Sequence, residues 1–229
     1  DPSGVSLFLL ASILLSISLI PILLTEIKAP ETDVQESLGL RALWKASPAG
    51  VATIGLSGLA SAGFFGVGTI YAVKAGLSVS ETALFMTLFI GFGAASQWPL
   101  GWLSDKIDRR KVILLCCASV ICICIVLTSF EFTSTILLIL SALVGACTLP
   151  LYSLGVAQAN DRLEPKQMIS ASGTIVLVFS VFAALGPFTM SYFLELFEMF
   201  GFMLFMGIVH LVITVTVLIM MMINENVDE

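Results

Sequence analysis

The sequence has very little charge. Only 11% of its 229 residues are Asp, Glu, Lys or Arg, whereas 58% are hydrophobic. Soluble domains are about 25% charged and about 45–50% apolar. This composition excludes an ordinary soluble domain and indicates an integral membrane protein whose main partner is the lipid bilayer. Because 10 basic residues stand against 16 acidic ones, the charge balance also argues against nucleic acid as a partner.

Groups for catalysis and metal binding are equally scarce. His210 is the single histidine, and the sequence shows no Ser/His/Asp set and no phosphate-binding loop, so we expect no enzymatic activity and no cofactor. The cysteines all lie inside apolar runs, where packing is the better interpretation than metal ligation, because no His or carboxylate follows at ligand spacing. These cysteines are Cys116, Cys117, Cys122, Cys124 and Cys147.

Long uncharged runs recur seven times. A helix that spans a bilayer needs about 20 mostly apolar residues, and runs of this kind cover 2–25, 46–73, 82–102, 112–130, 132–160, 167–194 and 199–224. The sequence therefore predicts an all-α integral membrane protein with seven transmembrane helices. Its predicted parts are a lone helix (1–25), a cytoplasmic linker with an amphipathic segment (26–47), a six-helix block (48–224) and a cytoplasmic tail (225–229).

The distribution of basic residues predicts the orientation of these helices. When the helices alternate across the membrane, Lys74 falls on one side and the other Lys and Arg residues fall on the opposite side. Basic residues accumulate on the cytoplasmic side of membrane proteins. We therefore expect the start of this segment outside and its tail in the cytoplasm, in a cell membrane such as the bacterial inner membrane.

One short basic stretch carries a family resemblance. Residues 101–111 read GWLSDKIDRRK and resemble the signature cytoplasmic loop of the major facilitator superfamily, roughly G-x-L-x-D-R/K-x-G-R-R/K-x. In that family the loop joins the second and third helices of each six-helix half, and here it lies between the second and third helices of the block 48–224. Asp108 stands where the family usually has Gly. Gly101 is expected to permit a tight exit from its helix.

The resemblance implies a fold and a function. The lone helix resembles helix six of a twelve-helix transporter, and the block resembles helices seven to twelve, so a further half of about five helices is an expected partner. The implied function is secondary transport of a small neutral or amphipathic solute by alternating access. By the same resemblance Asp105 and Arg109 form a conformational latch, supported by Gly101, Lys106 and Arg110. The alternative is a basic loop that only sets topology.

Candidate cavity residues also come from the resemblance, which makes the predicted helices 46–73 and 132–160 cavity-lining. With Gln97 from the predicted helix 82–102, the candidates are Ser57, Ser61, Phe64, Phe65, Gln97 and Tyr152. They suggest an apolar pocket with a few hydrogen-bonding groups. Hydrogen bonds between helices are the competing interpretation for each polar member.

Other features leave further alternatives open. No charged residue lies well inside a predicted span, so this half offers no obvious proton site, and His210 is expected to be a packing or interfacial residue. Gly58, Ala62 and Gly66 form a small-residue face that serves either close helix packing or helix bending. The stretch Asn160-Asp161-Arg162 is expected to cap a helix end on the cytoplasmic face. A second function hypothesis is a transporter-derived structural or assembly subunit of a larger membrane complex.

Overall fold

The computed structural model describes residues 5–24, 38–129 and 133–225. The chain separates into two compact units, Asp1–Gln35 and Glu36–Glu229. The first unit contains α1, an apolar helix. The second contains the remaining helices. The helices are α1 (Ser6–Leu23), α2 (Leu40–Ala46), α3 (Pro48–Lys74), α4 (Val79–Lys106), α5 (Arg109–Ser129), α6 (Ser134–Thr148), α7 (Pro150–Asn160) and α8 (Pro165–Glu225).

The predicted spans coincide with these helices, with shifted ends. Across the described residues the structure contains 5 helical segments long and apolar enough to cross a membrane, and the shorter apolar helix α1 adds to them. Helices α6 and α7 form one segment of 27 residues, Ser134–Asn160. Helices α4 and α5 extend beyond the apolar runs into charged residues, since backbone hydrogen bonding continues past the hydrocarbon boundary. Most of the linker 26–47 lies outside the described residues.

Helix α8 is a hairpin of two crossings rather than one rod. Its 61 residues would be about 90 Å long if straight, about three times the hydrocarbon thickness of a bilayer. Phe197 and Glu198 have non-helical backbone angles, and Glu198 has a positive φ of 50°. The rings of Phe193 and Phe205, on either side of this break, lie 5.7 Å apart. Such proximity over 12 residues requires the chain to turn back, as the separate runs 167–194 and 199–224 predicted.

The turn between α3 and α4 is built from local signals. Gly76, with φ of 84°, follows the end of α3, and the Leu77 amide donates to the Ala72 carbonyl in the pattern of a glycine-ended helix. Helix α4 begins with a capping box, in which Ser78 accepts from the Glu81 amide and the Glu81 carboxylate accepts from the Ser78 amide. These caps satisfy backbone groups that would otherwise lie unpaired near the membrane surface.

The small-residue face of α3 packs against α8. A Cβ at Gly58 would lie 2.7 Å from the Phe179 carbonyl oxygen, and one at Gly66 would lie 2.7 Å from the Pro187 Cβ. Real Cβ atoms do not approach so closely, so the two helices meet here through glycine. Because lipid tails are as apolar as side chains, such close packing is a main source of helix association in a bilayer. The packing interpretation of this face is confirmed.

The core of the second unit is largely aromatic at the end where α3 and α4 connect. The Phe64 and Phe89 rings stack with centroids 3.6 Å apart, and Tyr71 stacks on Phe202 at 4.3 Å. A second buried cluster joins α5, α7 and the second arm of α8, and a third joins α2, α3, α7 and the first arm of α8. The charged loops therefore sit at the opposite end from the aromatic cluster.

Candidate functional site

The loop that resembles the family signature is shorter than the sequence predicts. Helix α4 runs through Gly101 and ends only at Lys106, and the Ile107 amide still donates to the Leu103 carbonyl. The predicted tight exit at Gly101 is therefore wrong, because the helix ladder continues for another turn. The chain reverses at Ile107 and Asp108 instead. A Cβ at Gly101 would meet nothing within 4 Å.

Asp108 lies in the turn between α4 and α5, at the position where the family usually has Gly. Its carboxylate accepts from the Arg110 backbone amide at 2.9 Å and from the Arg110 guanidinium at 2.7 Å. The carboxylate thereby caps the first turn of α5, a role that suits Asp at a helix start. The hydrogen bonds from Arg110 hold the pKa of Asp108 below its ordinary value. Arg110 is thus committed to a local pair within the loop.

Arg109 joins three helices. Its Nη2 lies 2.9 Å from Asp105 Oδ1 on α4, and its Nη1 donates to Ser104 Oγ at 2.9 Å. Its Nε donates to Asp161 Oδ2 at 2.6 Å, at the end of α7. The planar guanidinium can satisfy all three acceptors at once, which a lysine ammonium could not do in the same geometry. The predicted pairing of Asp105 with Arg109 is confirmed.

Asp161 is the member of this cluster that sequence reasoning missed. The stretch 160–162 was expected to cap a helix end, and Asp161 does stand directly after the last residue of α7, but its carboxylate also accepts from Arg109. The two residues are 52 positions apart, so no local pattern connects them. The available signal was an acid in a short loop on the same membrane side as the basic stretch.

The two carboxylates of the cluster are more exposed than the arginine they bind. The Arg109 side chain is 21% exposed, whereas Asp105 is 66% exposed and Asp161 is 48% exposed. Asp105 therefore keeps acceptor capacity on its open side. Lys106 does not join the cluster, because its ammonium lies 3.8 Å above the Trp102 ring centroid in a cation–π contact.

Two clefts meet at the pair of Asp105 and Arg109. The first has a volume of about 310 Å³ and is lined by the loop and the end of α7. The second, about 290 Å³, runs between α4 and α7. The residues lining this second cleft are Gln97, Gly101, Ser104, Asp105, Arg109, Pro150, Ser153, Leu154 and Ala157. The structure thus brings Gln97, a cavity candidate, together with Asp105 and Arg109.

The remaining cavity candidates lie in different surroundings. Ser57 and Ser61 are buried, and their hydroxyls donate to carbonyls of their own helix, Ser61 to the Ser57 carbonyl at 2.6 Å. Phe64 is buried in the aromatic cluster, whereas Phe65 is 47% exposed. The Tyr152 ring packs edge-on against Phe179, with centroids 4.7 Å apart. The Ser57 and Ser61 hydroxyls satisfy their own helix backbone rather than bridging between helices.

His210 serves packing, as expected. The side chain is fully buried in the second arm of α8. Its Nδ1 lies 2.7 Å from the Met206 carbonyl oxygen, and its Nε2 lies 3.3 Å from the Thr148 hydroxyl on α6. Both ring nitrogens are therefore partnered inside the helix bundle.

The loop geometry, the six crossings of the second unit and the cluster at Arg109 can now be compared with known proteins. The sequence profile of the Major Facilitator Superfamily matches residues 4–137 and 50–228. The chain belongs to the major facilitator superfamily. Together with its helices, this establishes an all-α, multi-pass membrane protein whose last six crossings form one half of a major-facilitator bundle.

Curated relatives share a modest part of the sequence with this superfamily member. It is 27% identical over 171 residues to the "Uncharacterized MFS-type transporter YcaD" of Salmonella arizonae, covering 74% of this chain and 44% of the relative. It is 26% identical over the same length to the proteins of that name from Escherichia coli and Salmonella paratyphi B. The chain thus spans less than half the length of the curated relatives it matches.

Proposed function

We propose that this superfamily member is one half of a secondary transporter that works by alternating access together with a second six-helix half. Membership in the family supports secondary transport, and the relatives named above are called transporters. That naming favours transport over catalysis, and nothing in it favours an assembly subunit. The observation that carries the mechanism is the bridge from Arg109 to Asp105 and Asp161.

The bridge is suited to a latch because it combines a fixed cation with an open anion. Arg109 is held between α4, α5 and α7, so its position depends on how these three helices pack. Asp105 is held by Arg109 on one side and is open on the other. A carboxylate in this position can accept from the free amides at the start of a helix in the second half, where the helix dipole favours an anion.

Gly101 supports the same docking surface. A Cβ at Gly101 meets nothing within 4 Å, so packing among the described residues does not require glycine there. Glycine in a helix interior costs about 1 kcal/mol relative to Ala. A close approach by a helix of the second half would explain the glycine, which lies one helical turn before Asp105.

The interior of the described spans supports a neutral or amphipathic solute. In α3 and in the segment Ser134–Asn160, the described side chains are uncharged except for Lys74 at the end of α3. A charged solute would leave its charge uncompensated in such surroundings, at a cost of several kcal/mol. We also propose that the basic loops face the cytoplasm, because basic residues accumulate on that side.

The test replaces Asp105 by Asn in the full-length transporter. The variant keeps an acceptor and removes the charge. The state in which Asp105 contacts the second half should therefore lose about 1 kcal/mol, and its population should fall about fivefold relative to the state without that contact. Spin-label distances between the two halves in liposomes measure the populations, and uptake of a panel of neutral and amphipathic compounds measures transport.

Asp108→Asn is the matched control, because it removes the same charge from the same loop at a carboxylate that pairs with Arg110 rather than with Arg109. We expect its populations to remain those of the unmodified protein. Unchanged populations and unchanged uptake in Asp105→Asn would contradict the latch role.

A further inference from the structure

An apolar groove of the second unit lies beside the short helix α2. Its volume is about 680 Å³, within the range of about 300–1,000 Å³ that ligand pockets occupy. The groove is partly open, since Leu40, Trp44 and Phe182 on its wall are each at least about one third exposed. Its walls are formed by Leu40, Arg41, Trp44, Val51, Ala52, Leu56, Val178, Phe182, Val212 and Thr216.

Helix α2 is held firmly against the bundle at the mouth of this groove. Leu43 is fully buried, and the Leu38 amide donates to the Ser170 carbonyl at 3.1 Å. The Thr174 hydroxyl donates to the Leu38 carbonyl at 2.6 Å, and the Ser47 hydroxyl donates to the Gln158 carbonyl at 3.2 Å. The groove therefore has one rigid wall at the end of the bundle that carries the charged loops.

The groove has the dimensions of a site at the membrane interface. Along α3 it extends from Val51 to Leu56, a rise of about 8 Å. Interfacial helices bury their apolar face about 5–10 Å into the boundary between headgroups and acyl chains. Trp44, which is 46% exposed, is of the type enriched at this depth. An occupant of a site at this depth would have its apolar part in the hydrocarbon and its other end among the headgroups.

Charge is placed at one end of the groove only. Arg41 is the one charged residue of the lining, and Lys45 follows one turn later on the same short helix. In the part of the chain that the structure describes, no carboxylate lies within salt-bridge distance of either side chain. The polar end of the groove therefore favours an anion, while the rest of its wall is apolar apart from Thr216.

We propose that the groove binds an anionic phospholipid, with one acyl chain between α3 and the two arms of α8 and the phosphate at Arg41. Arginine matches phosphate oxygens with parallel hydrogen bonds, and a membrane supplies anionic lipids at this depth. The site requires only that the chain spans a membrane, so it stands independently of the transport function. It would tie the start of α3 to the composition of the surrounding leaflet.

The experiment measures lipid retention by the full-length protein. The protein is exchanged into mixed micelles containing equal phosphatidylglycerol and phosphatidylcholine, and native mass spectrometry counts the lipids that remain bound. We expect phosphatidylglycerol to be retained preferentially. Arg41→Gln should reduce its retention about fivefold, since one basic residue near the surface contributes about that much. Lys74→Gln, which removes a cation from the other end of α3, is the control and should change nothing.

A second variant tests the apolar part of the site without altering charge. Ala52→Phe fills the groove and should reduce retention of both lipids, whereas Arg41→Gln should affect only the anionic one. Equal retention of the two lipids by the unmodified protein, or unchanged retention in Arg41→Gln, would overturn the proposal. A diazirine side chain placed at Leu40 identifies the occupant: crosslinks to lipid support the site, and crosslinks to another protein segment refute it.

Discussion

Asp161→Asn is the sharpest test of how the loop cluster is held together. The carboxylate of Asp161 accepts from Arg109 Nε at 2.6 Å across two loops. Asn has nearly the same shape and keeps a carbonyl acceptor, so the substitution removes the charge and leaves the hydrogen bond in place. The cluster then retains only one anion, Asp105, beside Arg109.

The expected magnitude follows from the exposure of the two groups. A hydrogen bond to a charged group contributes about 1.5–3 kcal/mol, and a fully exposed ion pair only about 0.2–1 kcal/mol. Arg109 is 21% exposed and Asp161 is 48% exposed, so the pair lies between these cases. We expect Asp161→Asn to lower the free energy of unfolding by about 1 kcal/mol. For a unit of this chain's length that corresponds to a drop of about 2–4 °C in Tm, and the drop is smaller where the longer full-length protein unfolds as one unit.

The assay is thermal unfolding of the full-length protein in detergent, followed with a thiol-reactive dye. Cys116 and Cys117 are buried and free, so they become reactive only when the bundle opens, whereas Cys122 is exposed and is replaced by Ser beforehand. Double-mutant cycles with Arg109→Gln then isolate the pairwise energy. We expect a coupling of about 0.5–1 kcal/mol with Asp161→Asn. With Asp108→Asn, whose partner is Arg110, we expect coupling near zero.

Two outcomes would refute this reasoning. One is an unchanged Tm in Asp161→Asn, which would mean that solvent replaces the pair without cost. The other is equal coupling of Arg109 to Asp161 and to Asp108, which would mean that the energy comes from the general field of the basic loop. Either result would remove the pair of Arg109 and Asp161 as a source of stability.

Two further predictions concern glycines of α4 and α6. Gly145→Ala should destabilise the bundle by about 1–3 kcal/mol in thermal unfolding, because its Cβ would collide with the Phe89 backbone. Gly91→Ala is the control and should be neutral or stabilising, since a Cβ there has nothing within 4 Å. Equal effects of the two substitutions would contradict the packing of α4 on α6. Gly101→Ala should leave Tm unchanged or raised but shift the spin-label distances between halves in the full-length transporter, and unchanged distances would remove the docking role of Gly101.

The helices could be predicted from the sequence almost completely, and their ends could not. Apolar runs mark the part of each helix that lies in hydrocarbon, so the reversal at Phe197 and Glu198 was predicted from a short polar gap. Charged residues ended the predicted spans near Trp102 and Val112, but the hydrogen-bond ladder continues to Lys106 and resumes at Arg109. Hydropathy marks only the part of a helix that lies in hydrocarbon, whereas the helix itself continues until its backbone hydrogen bonds are capped.

The candidate site was predictable only in its local part. Asp105 and Arg109 lie four residues apart in one short stretch, and the family resemblance already brought the two together. Asp161 comes from α7, and its approach depends on how α4, α5 and α7 pack. Ser57 and Phe64 were assigned to a cavity by resemblance, yet the structure buries both among helices, because facing side chains decide which part of α3 is covered.

The sequence by itself determined that this protein spans a membrane several times and that it carries the loop of its superfamily. Both follow from properties that act residue by residue, namely the transfer of apolar side chains into lipid and a short motif at a helix end. Only the tertiary structure decided which acid completes the cluster at Arg109 and where an apolar groove opens beside Arg41. Those features depend on distances between helices far apart in the chain, and packing geometry sets such distances.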